Sequence, residues 1–317
     1  MRPILRSPLA FALGFLTLAC SRDRADGGAG GASADGTTGV VEIVARGLSF
    51  EAPDSIPSGW TTVRLRNDSE MVHFALLQRL PEGAGLVEHQ REVAPVFQQG
   101  FDLLKAGKGE AAMAKFGELP PWFPNIVFAG GVGLLDAGQT AETTLYLEPG
   151  RYLIECYVKT GGIFHSYNPS PGAYGMVREI TVTSDSSRNP EPSATVNVTV
   201  SSARGIEVAG QMVPGTQTVA VLFEDQKAHE HFIGHDVNLV RLEDNTDMAA
   251  LAAWMDWSQA TGLDTPAPAV FLGGAQEMPA GGKSYVTVTL EAGRYAWIAE
   301  VPNPAAKNMI KEFTVGG

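Results

Sequence analysis

The sequence predicts an all-β protein of two tandem β-sandwiches, each interrupted by one helical insertion. Short segments of alternating apolar and polar residues recur along the chain, and turn residues separate them. Glycine and proline are abundant, at 36 and 20 of 317 residues, as expected for many short strands and turns. An internal repeat then divides the chain into two copies of one fold.

The repeat is clearest in two blocks, residues 128–156 and 271–299. They align without a gap, and 11 of the 29 positions are identical. The identities include a Phe-x-Gly-Gly motif and a Leu-Glu-x-Gly-Arg-Tyr motif. Two shorter matches flank the blocks in the same order in both copies, pairing residues 73–80 with 235–242 and residues 176–182 with 309–315. We therefore interpret the chain as a tandem duplication.

The first 19 residues are predicted to be a signal peptide. Arg2 and Arg6 precede an apolar run of eleven residues that ends at Ala19 and is too short to span a bilayer. The run closes with Thr17-Leu18-Ala19-Cys20, which resembles the cleavage box of bacterial lipoproteins. That resemblance implies lipid on Cys20 and an exported protein anchored to a membrane, facing the periplasm or the cell exterior. The alternative is an ordinary signal peptide cut near Ala19.

Two polar stretches mark the predicted domain limits. Residues 20–39 contain almost no apolar side chains and are predicted to be a flexible tether. Residues 184–193 have a similar composition and are predicted to be a linker. The stretches frame a first domain at residues 40–183 and a second domain at residues 194–317.

Within each domain the strand segments alternate with period two, and turns such as Glu148-Pro149-Gly150 separate them. The predicted strand cores are residues 41–45, 62–66, 143–147, 152–156 and 179–182 in the first domain, and residues 196–200, 219–223, 285–289 and 311–315 in the second. This spacing is typical of a β-sandwich.

A helical segment is predicted inside each sandwich. In residues 86–119 apolar side chains recur near helical spacing, and Gly107-Lys108-Gly109 is predicted to divide the segment into two helices. Residues 247–261, with Trp254 and Trp257, form the shorter counterpart. We expect these apolar faces to pack against the sandwich rather than to enclose a cofactor.

The first domain resembles the cupredoxin family of blue-copper proteins in the order of four features. These are residues 50–59 followed by 62–67, Asn67 six residues before His73, residues 147–152 leading to Cys156, and His165 followed by Gly175-Met176 and the last strand. The resemblance implies a Greek-key β-sandwich, and the second domain shares it through the repeat. It also implies one type 1 copper ion.

Carried over to this sequence, the family's ligands fall on His73, Cys156, His165 and Met176. A thiolate, two imidazoles and a weak thioether are the donors of such a site. The resemblance thus implies an electron-transfer site in the first domain. Eight residues separate Cys156 from His165 and ten separate His165 from Met176, so the ligand loop is longer than is usual in the family.

Cysteine usage also draws attention to Cys156. If Cys20 is lipidated or removed, Cys156 is the only thiol of an exported chain and has no disulfide partner. Such a thiol needs protection from oxidation, which metal binding or burial can provide. A buried apolar cysteine on the strand is therefore the alternative interpretation.

The second copy serves as an internal control. Ala299 replaces Cys156, and no histidine corresponds to His165, so this copy cannot form the same centre. His235 and Met309 persist at the positions of His73 and Met176, which shows that these positions can have a structural role. A separate cluster of His229, His231 and His235 is a second candidate zinc or copper site, with a solvated loop as the alternative. We expect the remaining histidine of the insertion, His89, to lie on the surface.

The sequence favours a copper-binding electron-transfer protein, which exchanges electrons with a redox protein partner, over an enzyme, and a redox enzyme is the least favoured alternative. A copper-free scaffold lipoprotein and a copper storage or delivery protein are the alternatives. No Ser/His/Asp set, phosphate loop or convincing carboxylate pair is present, and six histidines are too few for a multicopper oxidase. The net charge of −12 argues against nucleic acid as a partner.

Overall fold

A computed structural model describes residues 39–170, 172–230 and 234–316, and β-strands form most of it. The predicted signal peptide, Cys20 and the tether up to residue 38 lie outside the described residues, as does His231. Across the described part of the chain, no helix has the length and apolar character needed to cross a membrane.

The first half of the described chain contains strands and three helices. The strands are β1 (Val40–Arg46), β2 (Ser49–Glu51), β3 (Ser55–Asn67), β4 (His73–Arg79), β5 (Val127–Leu135), β6 (Thr140–Leu147), β7 (Gly150–Glu155), β8 (Lys159–Thr160), β9 (Ile163–Phe164) and β10 (Val177–Ser186). The helices, all between β4 and β5, are α1 (Leu86–Glu92), α2 (Ala94–Lys105) and α3 (Gly109–Phe116).

The second half repeats this plan with fewer elements. Its strands are β11 (Val196–Ser201), β12 (Gly205–Ala209), β13 (Gly215–Phe223), β14 (Val237–Leu242), β15 (Val270–Ala275), β16 (Lys283–Leu290), β17 (Gly293–Ile298) and β18 (Ile310–Val315). One helix, α4 (Met248–Trp254), lies between β14 and β15.

Strand pairing follows the sequence repeat. In the first half β1 pairs in parallel with β3, β3 with β6, β4 with β5 and β7, and β7 with β10. In the second half β11 pairs in parallel with β13, β13 with β16, β14 with β15 and β17, and β17 with β18. The predicted all-β class, with two sandwiches and a helical insertion in each, is confirmed. The limits at 40–183 and 194–317 stay predictions.

The two halves share their sheets. Antiparallel pairing of β6 with β16 continues one sheet, and antiparallel pairing of β5 with β15 continues the other. A single cluster of buried apolar side chains runs through both sandwiches, from Val63 and Leu65 in β3 to Val286 and Val288 in β16. Burial of apolar surface is the main force that holds such layers together.

Both repeat motifs have a structural reason. In the Phe-x-Gly-Gly motif, Gly131 and Gly274 adopt φ of +144° and +148° where β5 and β15 approach β4 and β14. A Cβ atom on Gly131 would lie 2.0 Å from the Ala75 carbonyl oxygen. In the other motif, the tyrosine hydroxyl donates to a carbonyl four residues upstream, at 2.8 Å for Tyr152 and 3.1 Å for Tyr295.

The helical insertions differ in part from the prediction. The break at Gly107-Lys108-Gly109 is present, but a second break at Val93 yields three helices instead of two. Pro95 explains it, because proline lacks the N–H that would continue α1 and is tolerated only in the first turn of a helix. The shorter counterpart is helical only from Met248 to Trp254, where the Asp247 side chain caps its first turn.

The predicted linker is packed against the first half. β10 continues to Ser186, and the side chains of Ser187 and Asn189 both donate to the Trp60 carbonyl, at 2.8 and 2.9 Å. The polar side chains of the predicted linker therefore bind β3 through hydrogen bonds as well as facing solvent.

Candidate metal centre

His73, at the start of β4, is fully buried. The preceding turn is held by Asn67, whose amide donates to the carbonyls of Met71 and Leu135 at 2.7 and 2.9 Å. These bonds fix the path of the chain into β4 and the start of that strand. Asn67, noted from its spacing to His73, is thus a residue that positions the histidine.

Cys156 follows β7 directly and is fully buried. Its backbone N–H donates to the Met176 carbonyl at 3.2 Å, which joins it to the segment before β10. Because alternate residues of an extended segment point to opposite faces, Glu155 and Tyr157 point away from the side on which the thiol lies.

His165 lies at the end of the β8–β9 hairpin, in the long loop that follows Cys156. Its N–H donates to the Val158 carbonyl at 2.8 Å, and its own carbonyl accepts from Met176 N–H at 2.6 Å. The loop returns closely on itself here, since a Cβ on Gly175 would lie 2.1 Å from the Ser166 backbone. The long loop therefore still brings His165 beside Cys156.

Three of the four predicted ligands converge. The Cys156 Sγ atom lies 3.5 Å from His73 Nδ1 and 3.9 Å from His165 Nδ1. The two imidazole rings are 4.9 Å apart between centroids. Among the described residues, these three form a group of His, Cys or acidic side chains whose ligand atoms all lie within 4.8 Å of one another.

The spacing suits a metal ion. A nitrogen about 2.1 Å and a sulfur about 2.3 Å from a divalent ion, at about 120°, are about 3.8 Å apart. The two observed sulfur–nitrogen distances, 3.5 and 3.9 Å, bracket this value. One thiol and two imidazoles are also the donor set that copper prefers in a trigonal site. The residues present therefore fit a copper ion.

Burial controls protonation at this centre. Burial lowers the pKa of His73 to about 4, and a backbone hydrogen bond with Gly47 opposes part of that shift. Burial, with repulsion from His73, lowers the pKa of His165 to about 3. Burial raises the pKa of the Cys156 thiol to about 12. At neutral pH both imidazoles are neutral and able to bind metal, while the thiol stays protonated until a cation replaces its proton.

The second ring nitrogen of His165 also has a partner. Its Nε2 lies 2.9 Å from the Thr160 hydroxyl, which in turn lies 3.0 Å from the Thr265 hydroxyl of the second half. An Nε2–H that donates to Thr160 leaves the Nδ1 lone pair directed at the thiol side. Thr160 was not identified from the sequence, because nothing local marks a threonine as the partner of a histidine.

The second half holds the loop that carries His165. Lys159 N–H donates to the Leu263 carbonyl at 2.7 Å, and the Lys159 carbonyl accepts from Thr265 N–H at 2.9 Å. The fully buried Lys159 ammonium donates to the Trp257 carbonyl at 2.6 Å and lies 3.7 Å from the centre of the Phe101 ring. Burial lowers the pKa of Lys159 to about 7. The ligand loop is thus fastened to both the insertion and the second half.

Met176 is fully buried beside the other three residues, and its backbone arrangement has a copy in the second half. Ala299 N–H donates to the Met309 carbonyl at 3.0 Å, and Met309 N–H donates to the Pro304 carbonyl at 2.8 Å. Pro304 therefore stands where the first half has His165. The backbone of this methionine makes the same hydrogen bonds in both halves, so the burial of Met176 does not by itself identify it as a ligand.

The second candidate cluster is smaller. His229 and His235 approach within 2.9 Å between their Nε2 atoms, and His235 Nδ1 lies 3.8 Å from an Asp225 carboxylate oxygen. His231 lies outside the described residues. Among the described residues, this cluster therefore does not bring three candidate metal ligands together as the group around Cys156 does.

His89 contradicts its expected surface position. It is buried, with 1% of its surface exposed, and its Nε2 lies 3.5 Å from a Glu155 carboxylate oxygen. Burial would raise the pKa of Glu155, but His89 and hydrogen bonds from Gln78 and Ser166 lower it overall. The prediction failed because the short helix α1 around His89 carries no signal of what packs on it.

Comparison with known proteins identifies structures but no family. No family model matches the chain, and no curated protein matches it. Auracyanin B is 24% identical, with a TM-score of 0.28, over 41% of this chain and 93% of its own. Auracyanin A, a "blue" copper protein from Chloroflexus aurantiacus, is 22% identical, with a TM-score of 0.25, over 45% of this chain and 98% of its own. The copper-containing nitrite reductase of Thermus scotoductus is 11% identical, with a TM-score of 0.21, over 87% of this chain and 61% of its own.

Proposed function

We propose that this chain is an exported copper-binding electron-transfer protein with one type 1-like site in its first half. The observation that carries the proposal is the convergence of His73 Nδ1 and His165 Nδ1 on the buried free thiol of Cys156. Met176 is the proposed weak fourth ligand. A copper ion held there would supply a one-electron couple that the side chains themselves lack.

The protein's own residues prepare this site before any ion enters. Asn67 fixes the turn that leads into His73, and the Thr160 hydroxyl holds the ring of His165. Burial keeps both imidazoles neutral, and it excludes water from the thiol. A ligand set already in place needs little rearrangement when the charge of the centre changes, which favours electron transfer.

Burial and the geometry of the ligands favour this function over the two alternatives. A storage or delivery protein would favour exposed, exchangeable ligands, whereas the three converging residues are at most 2% exposed. A copper-free scaffold would need only an inert buried cysteine at position 156, and the second half already shows that Ala299 satisfies that backbone. A scaffold function does not explain why two imidazoles face the thiol. The proposed partner is a redox protein.

The decisive experiment is the absorption spectrum of the copper-loaded full chain carrying Cys20→Ser, so that Cys156 is its only thiol. We expect one tightly held copper and an intense visible thiolate-to-copper band. Cys156→Ala and His73→Gln should abolish the band. His235→Gln changes the equivalent histidine of the second half, serves as the matched control, and should leave the band intact. A colourless protein with less than one equivalent of tightly held copper would refute the proposal.

We further propose that lipid on Cys20 anchors the mature protein to a membrane. The support is the apolar run ending in Ala19-Cys20 and the polar tether that follows it. Mass spectrometry of the protein from its native membranes should find a lipid mass on an N-terminal Cys20. An unmodified N-terminus beyond Cys20 would contradict the anchor and leave the copper proposal untouched.

A further inference from the structure

A cavity of about 260 Å³ lies beside the candidate copper centre, at the junction of the helical insertion with both halves. Glu155 and Tyr157, which flank Cys156 in sequence, both line it. Four carboxylic side chains belong to its lining, namely Glu155, Asp236, Glu277 and Glu300. Among the described residues, the lining contains no lysine or arginine. The cavity is therefore rich in acid with little base to balance it.

His89, the basic side chain among the described lining residues, is engaged by Glu155. Asp236, Glu277 and Glu300 have no such partner among the described lining residues, although the nearby Lys159 ammonium interacts with Glu300. Burial raises the pKa of Asp236 to about 6 and that of Glu277 to about 8, and burial with repulsion from Asp236 raises that of Glu300 well above its usual range. Isolated buried carboxylates are costly, so a cation bound among these groups would favour their charged forms.

Hydrogen-bonding atoms in the same wall are unused. Glu300 is 3% exposed, and its Oε2 accepts from the Tyr157 hydroxyl at 3.1 Å while its Oε1 has no partner. Gln78 Oε1 is a second buried acceptor without a partner, and Gln276 Nε2 is a donor without one. Buried polar atoms are normally satisfied. Two vacant acceptors therefore point to a ligand that donates hydrogen bonds.

The rest of the wall is aromatic. The rings that line the cavity are those of Phe97, Phe123, Phe128, Tyr157, Phe164 and Trp257. Aromatic faces attract organic cations and cover their apolar parts. Among the described residues, the carboxylates of this wall do not converge closely enough to hold a metal ion, because the three side chains that do so are His73, Cys156 and His165. Pockets for drug-sized ligands begin at about 300 Å³, so this cavity suits a smaller molecule.

We propose that this cavity binds a small protonated amine with an aromatic or aliphatic body. The ammonium group donates to Glu300 Oε1 and Gln78 Oε1, and its charge is balanced by Glu300, Glu277 and Asp236. The apolar body lies against the aromatic wall. This binding requires no copper, so it stands or falls independently of the proposed electron transfer.

The test is calorimetric titration of the copper-free full chain with 2-phenylethylamine, and with 2-phenylethanol as the neutral ligand of the same shape. We expect saturable amine binding at least about tenfold tighter than alcohol binding, because hydrogen bonds between charged groups are stronger than those of a neutral hydroxyl. Amine affinity should increase from pH 6 to pH 8, as Glu277 loses its proton in the field of Asp236, Glu300 and Tyr157.

Two variants in the cavity and one on the surface complete the design. Glu300→Gln and Glu277→Gln should each weaken amine binding about tenfold or more, since each removes a charge while preserving shape. Glu312→Gln changes a half-exposed carboxylate paired with Arg294 and should leave the affinity unchanged. Circular dichroism checks that each variant folds. The proposal is overturned by equal affinity for amine and alcohol, by no saturable amine binding up to about 10 mM, or by unchanged affinity in both folded cavity variants.

Discussion

The Thr160 hydroxyl lies 2.9 Å from Nε2 of His165, while Nδ1 of the same ring lies 3.9 Å from the Cys156 sulfur. One side of the imidazole is therefore held by a neutral side chain, and the other faces the thiol. Thr160 also contacts Thr265 at 3.0 Å, so this orientation depends on the second half of the chain.

Removing that hydroxyl should loosen His165. We expect Thr160→Val to weaken copper binding about 10–100-fold, the range seen when the outer partner of a ligating histidine is lost. Competition with a chelator of known affinity measures the change. Thr160→Ser keeps the hydroxyl and should retain most of the affinity, and equal affinity in the valine and wild-type proteins would contradict this role.

Met176 and Met309 allow a matched test of the axial ligand. Both are fully buried and their backbones make equivalent hydrogen bonds, but only Met176 lies beside the histidine–cysteine group. Leucine at either position should cost about 1 kcal/mol of unfolding free energy, since the volume is nearly conserved. Only Met176→Leu should shift the reduction potential and the visible band. Identical spectra and potentials in both variants would exclude Met176 as a ligand.

Lys159 should make stability depend on pH. Folded Lys159 loses its proton near pH 7, whereas the unfolded residue keeps it to about pH 10.4. The unfolded state therefore binds more protons between these values, and the free energy of unfolding rises with pH. Relative to Lys159→Met, the wild type should gain about 3 kcal/mol between pH 7 and pH 9.5.

Denaturant unfolding at several pH values measures this difference. Lys108→Met is the control, because Lys108, in the helical insertion, carries the same ammonium group but is exposed to solvent. Its stability should track the wild type across the same pH range. A parallel pH dependence in wild type and Lys159→Met would show that the buried ammonium does not titrate there.

Gly131, in the Phe-x-Gly-Gly motif of the repeat, should not tolerate a side chain. Gly131→Ala places a Cβ 2.0 Å from the Ala75 carbonyl oxygen and should lower the free energy of unfolding by about 3 kcal/mol or more. Gly138 has φ of +72° with open space around it, so Gly138→Ala should cost only about 1 kcal/mol. Similar losses in the two variants, measured by denaturant unfolding, would contradict the close approach of β5 to β4.

Much of the architecture could be read from local pattern. Period-two alternation placed the strand cores at 41–45 and 152–156, and the gapless repeat predicted that the two halves pair their strands alike. Both signals are local, because a strand with one buried face must alternate along its own length. The end of α1 was missed although Pro95 marks it, since the apolar stripe was continuous across it.

The sequence also indicated the types of the copper ligands, because only a few side chains have donor atoms suited to a copper site. Their convergence was decided by tertiary structure, since His73 and Cys156 are 83 residues apart and meet only through the pairing of β4 with β7. The burial of His89 and the anchoring of Lys159 depend equally on contacts with distant segments. Local sequence determines which face of a strand is apolar, but which segments meet across that face is set by the packing of the whole chain.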